Sequence, residues 1–369
     1  MSPTTMPRRS RAAILWGLLF VVCGQIALAV AIERWRLECA DPEYGYQLKR
    51  LCSRLAEHPG KPLVLVLGSS RTANGFETDR MPPPGEREGE APMVFNLSRA
   101  GSGPVMNLLV LQRLLALGIH PRGVVVEVLP PMLGAEEPRI KAGEYPAQHC
   151  LRWNDLEVIR QLVPDGANLR YLQWLQCNGV PWYTHRLCLM VRYAPSWLLT
   201  EEAGSVTCFV HDWSPWGWLR HRPEKVTPQQ FHKGLAFTRQ EYLDAVDFSK
   251  VGQASDRALR EFLEQCRRDQ ISVIGLVLMP ETSAFRSWYK PATRSLFKSY
   301  LTDLAREYGT QFIDADCWLG DECFADGHHL LPDGARAFTE RFWREVMEPW
   351  FKGNSAPTCS EPHLARRDG

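Results

Sequence analysis

The sequence predicts an α/β protein, a parallel sheet with helices between its strands, joined to a helical insertion and an N-terminal membrane helix. Three observations predict it. Two continuously apolar runs, Pro62-Leu63-Val64-Leu65-Val66-Leu67 and Val124-Val125-Val126-Glu127-Val128-Leu129, have strand length without polar alternation, as strands buried on both faces do. A third short strand, Met93 to Leu97, and an amphipathic helix from about Pro104 to Leu117 fall between them, the spacing of a right-handed βαβ unit. An uncharged apolar run from Ala12 to Ile32 stands near the N-terminus.

That run is 21 residues long, and as a helix it reaches roughly 30 Å, the thickness of a bilayer core. Arg8, Arg9 and Arg11 precede it, so residues 1–11 read as a cytoplasmic leader and residues 12–32 as an anchor that puts everything after it outside the cytoplasm, although Arg34 and Arg36 reduce that asymmetry. Ala27-Leu28-Ala29 and Ala29-Val30-Ala31 leave open a cleaved signal peptide; either way the body is exported. The localisation expected is single-pass in a cell inner membrane, with a periplasmic body.

Residues 33–60 read as a stalk or first helix, helical from Tyr46 to Ala56. The main domain follows over 61–350. Gly118 closes the helix that starts at Pro104, and Pro121 blocks its resumption. Past the Val124 strand, regular alternation stops, and about 135–250 reads as a largely helical insertion. It resumes with a helix over Ser255–Arg268, a strand from Ile271 to Leu278, a helix over Arg294–Tyr308, a short strand from Gln311 to Asp314 and a closing helix from Asp333 to Trp350. Residues 354–369, polar with two prolines, read as a disordered tail.

Composition narrows the chemistry. The 369 residues, 45% hydrophobic, suffice for one large α/β domain or two small ones, and 43 basic against 42 acidic residues leave a net +1 that recruits no polyanion, so no nucleic-acid partner is expected. Of 11 cysteines, one lies in the apolar run; Cys39 with Cys52 and Cys317 with Cys323 are near enough in sequence to pair in an oxidising compartment. Metal-ligand spacings, a phosphate-binding glycine loop and a dinucleotide-binding turn are missing from the sequence, so neither a cofactor nor a metal is expected.

Three blocks carry the chemistry. Gly68-Ser69-Ser70-Arg71-Thr72 follows the first strand, where ligands of open parallel sheets bind, and a serine there needs a base to become a nucleophile. Asp326 and His329, three apart just before the last helix, can supply an oriented base. Gly101, in Asn96-Leu97-Ser98-Arg99-Ala100-Gly101-Ser102-Gly103 after the second strand, offers a backbone N–H to an oxyanion. Each block alone also fits an ordinary capped turn. In the insertion, His211-Asp212-Trp213-Ser214-Pro215-Trp216-Gly217-Trp218 offers aromatic faces for sugar rings, or for packing onto the sheet.

Order and placement of these blocks over 62–347 resemble the SGNH hydrolase superfamily. The anchor, the Gly-Ser-Ser-Arg-Thr form and the stretch from Phe95 to Pro104 are most similar to membrane-anchored, extracytoplasmic relatives of alginate O-acetyltransferases and of the teichoic acid D-alanylation protein. The resemblance implies a flavodoxin-like three-layer parallel sheet, Ser70 as nucleophile, His329 as base, Asp326 as its orienter, and the Ser70 and Gly101 amides as oxyanion donors. The superfamily's asparagine block after the third strand is absent, since Val124–Leu129 runs into Pro130-Pro131, so a third donor has no assignment and a non-catalytic accessory protein of the same fold stays open. Arg71 and Asn74, near the serine in sequence, and Trp213 and Trp216 are the expected substrate contacts. The expected substrate is a carbohydrate or other ester in the cell envelope, and a transferase would need a membrane partner to deliver the acyl donor.

Overall fold

A computed structural model describes residues 8–81, 91–134, 150–162, 167–198, 212–220 and 224–354. Helix α1 (Arg8–Trp35) is followed by a short α2 (Leu37–Ala40) and by α3 (Pro42–Glu57). Within α1, the segment Ser10–Trp35 is long and apolar enough to cross a membrane, and none of its most apolar window is buried by the protein. Helix α3 starts on the Asp41 cap with Pro42 in its first turn, and it buries Tyr44, Gln47 and Leu51. Residues 33–60 carry the two readings of a stalk and a first helix, and Tyr44 and Leu51 of α3 pack into the core shared with β1 and α5.

The sheet has five parallel strands in the order β2-β1-β3-β4-β5: β1 Leu63–Leu67, β2 Met93–Asn96, β3 Gly123–Glu127, β4 Ser272–Leu278 and β5 Phe312–Asp314. Apolar side chains of β1 and β3 alternate between two cores. Leu63, Leu65, Leu67, Val124 and Val126 join α5 (Pro104–Ala116) and other helices on one face; Val64, Val66 and Val125 meet Phe76, Phe338 and Phe342 on the other. Helices therefore cover both faces, which is why these strands read as unbroken apolar runs. Helix α4 (Ser70–Gly75) opens directly from β1. Because β1 connects to β2 on one side and β3 lies on the other, the chain reverses direction across the sheet between β1 and β3, the crevice where open α/β sheets bind ligands.

Among its described residues the insertion is largely helical, with α6 Trp153–Leu162, α7 Ala167–Asn178, α8 Pro181–Tyr193 and α9 Pro228–Tyr242, and it includes a non-helical loop over 212–220 closed by a Trp213–Leu219 bridge. The second half of the sheet is built with α10 (Gln253–Arg268), α11 (Ser283–Trp288) and α12 (Pro291–Tyr308). The closing helix covers the expected Asp333–Trp350 without a break, but it is not α-helical throughout. It is α13 (Pro332–Phe342), a wider π turn over Trp343–Met347, and α14 (Glu348–Asn354). Pro349 lacks an N–H and its ring crowds the carbonyl four residues earlier, so the chain widens ahead of it.

Of the two readings open for Cys39, Cys52, Cys317 and Cys323, disulfide pairs or unpaired thiols, the structure has the second: all four are free. Proximity in sequence is not proximity of Cβ atoms. Cys39 is buried against Ile32 and Leu189 whereas Cys52 is exposed, and Cys317 turns at the surface toward Arg294, 3.9 Å away. The expected tail beyond Asn354, the start of the leader and His211 lie outside the described residues.

Candidate active site

Ser70, His329 and Asp326 meet at the carboxyl edge of β1. The Ser70 hydroxyl lies 2.9 Å from His329 Nε2, and His329 Nδ1 lies 2.8 Å from Asp326 Oδ2. The other Asp326 oxygen accepts the backbone N–H groups of His328 and His329 at 2.8 and 2.9 Å. With Nδ1–H donated to the carboxylate, Nε2 is the acceptor for the serine proton. Burial would raise the Asp326 pKa, but the hydrogen bond and charge of His329, then His328, hold it well below the usual carboxylate range.

The serine turn is held from beneath by a buried ion network. Ser69 caps α4, its Oγ accepting Arg71 N–H at 3.2 Å, which leaves Ser70 at the first helical position, where no preceding carbonyl claims its N–H. Glu127, the last residue of β3, accepts the Ser69 N–H at 2.6 Å and the Thr72 hydroxyl with the same oxygen. A Cβ at Gly68 would lie 2.5 Å from that oxygen and 2.7 Å from Glu127 Cβ, so glycine is what lets the carboxylate come under the turn. Glu127's other oxygen faces Arg71 Nε at 3.7 Å. Arg71 gives its remaining donors to Glu281 (3.1 Å) and to the carbonyls of Met279 (2.9 Å) and Pro280 (3.1 Å), and Tyr289 donates to Glu281 at 3.1 Å. Burial pushes the Glu281 carboxyl up, although Arg71 beside it works the other way.

Arg71, expected near substrate, is only 1% exposed and is ion-paired with two glutamates beneath the turn. Asn74 is likewise structural. Its side-chain amide donates to Leu219 O at 2.7 Å and its backbone carbonyl accepts the Trp218 Nε1–H at 2.8 Å, binding α4 to the tryptophan loop. That loop seals the edge of β2, where Trp216 O accepts Asn96 N–H at 3.0 Å and a Cβ on Gly217 would overlap Asn96 O. Trp213 is buried, and Trp216 stacks on His58 at 5.5 Å with the Arg54 guanidinium over its ring, so both rings pack the insertion onto the domain.

Gly101 adopts φ +67°, open to glycine, in the turn beside the serine. Arg99 N–H bonds Gly68 O at 2.9 Å, and the Arg99 guanidinium grips Asp41 at 2.8 and 2.9 Å, tying this turn to the cap of α3. Asn74 and Asn96 are both engaged, Asn74 as above and Asn96 through its amide to Thr72 O at 2.9 Å. Glu127, an acceptor, occupies the end of β3 where a third oxyanion donor was sought.

The Asp326–His329 loop is held from the opposite side. Ala325 N–H bonds His329 O, closing the loop, and Thr282, the cap of α11, bonds Gly327 O through its hydroxyl at 2.9 Å. Helix α9 of the insertion lies against it, so close that a Cβ on Gly234 would come 2.9 Å from Asp326 Cβ. His328 points away from the serine into Tyr242 and Phe285, with ring centroids 5.2 and 5.4 Å from its own. Burial, then neighbouring His329, push its pKa well below the ordinary range against the pull of Asp326. The donor atoms of Asp326, His328 and His329 lie within 4.8 Å of one another, close enough for a metal, but both nitrogens of His329 already have partners in Asp326 and Ser70.

Sequence reasoning passed over Glu281 and the insertion's Gly234, and noted Glu127 only as a charge within a strand. A lone carboxylate in Val-Val-Val-Glu-Val was the signal for Glu127, because a buried charge needs a partner. Neither protein-family models nor curated proteins give a match to this chain.

Proposed function

We propose that this protein is an SGNH-type serine acyl-ester enzyme with a flavodoxin-like sheet, held by α1 in the cell inner membrane with its catalytic domain in the periplasm. The observation that carries the reading is the hydrogen-bonded chain Ser70–His329–Asp326 at the carboxyl edge of β1. His329 Nε2 takes the Ser70 proton as Oγ attacks the ester carbonyl, and Asp326 orients the ring and offsets the imidazolium charge. The tetrahedral oxyanion is met by the Ser70 and Gly101 amides. Its collapse expels the alcohol, protonated by His329, and leaves an acyl-Ser70 ester. Water or a sugar hydroxyl, giving its proton to His329, then attacks that ester, releasing acid or forming a new ester and restoring the serine.

Hydrolysis and O-acetyl transfer onto a cell-envelope polysaccharide share every step but the last. Assaying the purified protein on acetyl esters, with and without an oligosaccharide acceptor, separates them: an acetylated acceptor marks a transferase, free acetate alone an esterase, and neither product sinks the enzymatic reading. One observation favours a second reading, a non-catalytic accessory protein binding a glycan or membrane partner. Glu127 stands where a third donor is sought, and losing one oxyanion donor costs roughly 10²–10³ in rate.

A further inference from the structure

From the packing of the insertion against α1, we infer that the α7–α8 hairpin is a lipid-binding element, its tip sunk into the outer leaflet of the bilayer that α1 crosses. This rests on α1 lying in a membrane and is independent of the chemistry assigned to Ser70.

Helix α8 runs alongside α1 in the same direction. Trp182 N–H bonds Gln25 Oε1 at 3.2 Å and Arg36 Nε bonds Tyr193 OH at 3.0 Å, so the stretch from Trp182 to Tyr193 runs level with the equally long stretch from Gln25 to Arg36, the residue just past the end of α1. Between these ends Cys188 and Leu189 pack on Leu28, Ile32 and Cys39. Gln25, Leu28, Ala29 and Ile32 are shielded while most of the surrounding helix is exposed, and their i, i+3, i+4, i+7 spacing marks one face of α1. The apolar run ends at Ile32, before Glu33 and Arg34. Trp182 sits level with Gln25, seven residues earlier, and at 1.5 Å per residue that is about 10 Å below the end of the run. A bilayer around α1 must therefore also surround the tip of the hairpin.

The tip is built for that medium. Leu172, Leu175, Val180, Trp182 and Tyr183 are all exposed there, a cost in water and a gain in lipid. Several of its polar groups close on one another or on α1, while Gln173 and Gln176 of α7 are exposed. At the end of α7, Asn178 Nδ2 donates to Trp174 O at 3.1 Å, the Thr184 hydroxyl donates to Cys177 O, and Gly179 N–H bonds Leu175 O at 2.7 Å. Trp182 N–H, at the start of a helix where the donor has no intrahelical partner, is met by Gln25. Charge agrees: from Ala167 to Thr200 the sequence has no Asp or Glu, while Arg186 and Arg192 stand higher on α8, with Tyr193 at its end, the composition of an interfacial segment facing anionic headgroups.

The test uses the full-length protein in vesicles of phosphatidylethanolamine and phosphatidylglycerol, with a photoreactive benzoylphenylalanine replacing one residue at a time. The positions are Leu175 and Trp182 at the tip, Phe20 in α1, and Arg306 on α12. Lipid adducts at 175 and 182 in yields comparable to position 20, with background at 306, are the expected result. Adducts at 20 but none at 175 and 182 would overturn the inference, as would cross-links from 175 or 182 to a second protein chain in place of lipid. Lack of lipid adducts at 20 would remove α1 from the bilayer and the inference with it.

Discussion

The serine turn and the Asp326–His329 loop face each other across one hydrogen bond, yet they are held by different parts of the chain. Beneath Ser70 lie the sheet's own groups: Glu127 from β3, Arg71 from α4 and Glu281 after β4, all buried. Behind His329 lie Thr282 and the insertion's α9, touching through glycine and carbonyl contacts, with the loop partly open to solvent. The difference teaches that the nucleophile is placed by the common core and the base by the part of the molecule least regular in sequence. Changes in the core should therefore damage fold and site together, and changes in the insertion should act on the base first.

The largest effect should come from Glu127→Ala. It removes the acceptor of Ser69 N–H and Thr72 OH and one partner of a fully buried arginine, a change of about 3–5 kcal/mol for broken buried pairs. A fall in chemical-denaturation stability together with loss of reactivity at Ser70 is expected; normal stability would show that the network is not what holds the turn. Asp326→Asn should keep the fold and lower the reaction rate by roughly 10²- to 10⁴-fold, because the ring loses its orienting partner. An unchanged rate would remove Asp326 from the site.

Gly234→Val tests the insertion side. The added side chain must displace the Asp326 loop, costing about 1–3 kcal/mol of overpacking, and Ser70 should react more slowly while the turn beneath it stays intact. Equal damage from a valine on an exposed part of α9 would deny the contact its role.

The smallest effect expected is at His328. Its folded pKa lies below the unfolded value of about 6.5, so below that pH the unfolded chain binds the proton more readily, and stability falls as pH drops through 6.5 toward the folded value. Its contribution is intact above 6.5. His328→Phe, placed among Tyr242 and Phe285, should flatten this acid-side loss and leave the rate at neutral pH nearly unchanged. If stability of the wild type and variant declines in parallel from pH 7 to 5, His328 is not a buried neutral group.

How far the sequence could be read follows the same division. The strands were legible because burial on both faces makes Leu63–Leu67 and Val124–Val126 unbroken apolar runs, and the Ser70, Asp326 and His329 contacts were legible because each sits directly after a strand or before a helix. The internal contacts of Arg71, Asn74, Trp213 and Trp216 were not. Polar and aromatic residues near a serine look alike whether they face substrate or a partner, and only the fold shows that Glu281, 210 residues away, takes Arg71. The state of the cysteines was not legible for a related reason, since spacing along the chain carries no information about which face of a helix a thiol occupies.

The most direct test of the account is labelling of the full-length protein by a fluorophosphonate, with the modified residue located by peptide mass. The account predicts one adduct, on Ser70, abolished by Ser70→Ala and nearly abolished by His329→Ala, but retained in His328→Ala. Labelling on another serine, or adduct formation that survives His329→Ala and disappears in His328→Ala, would contradict it.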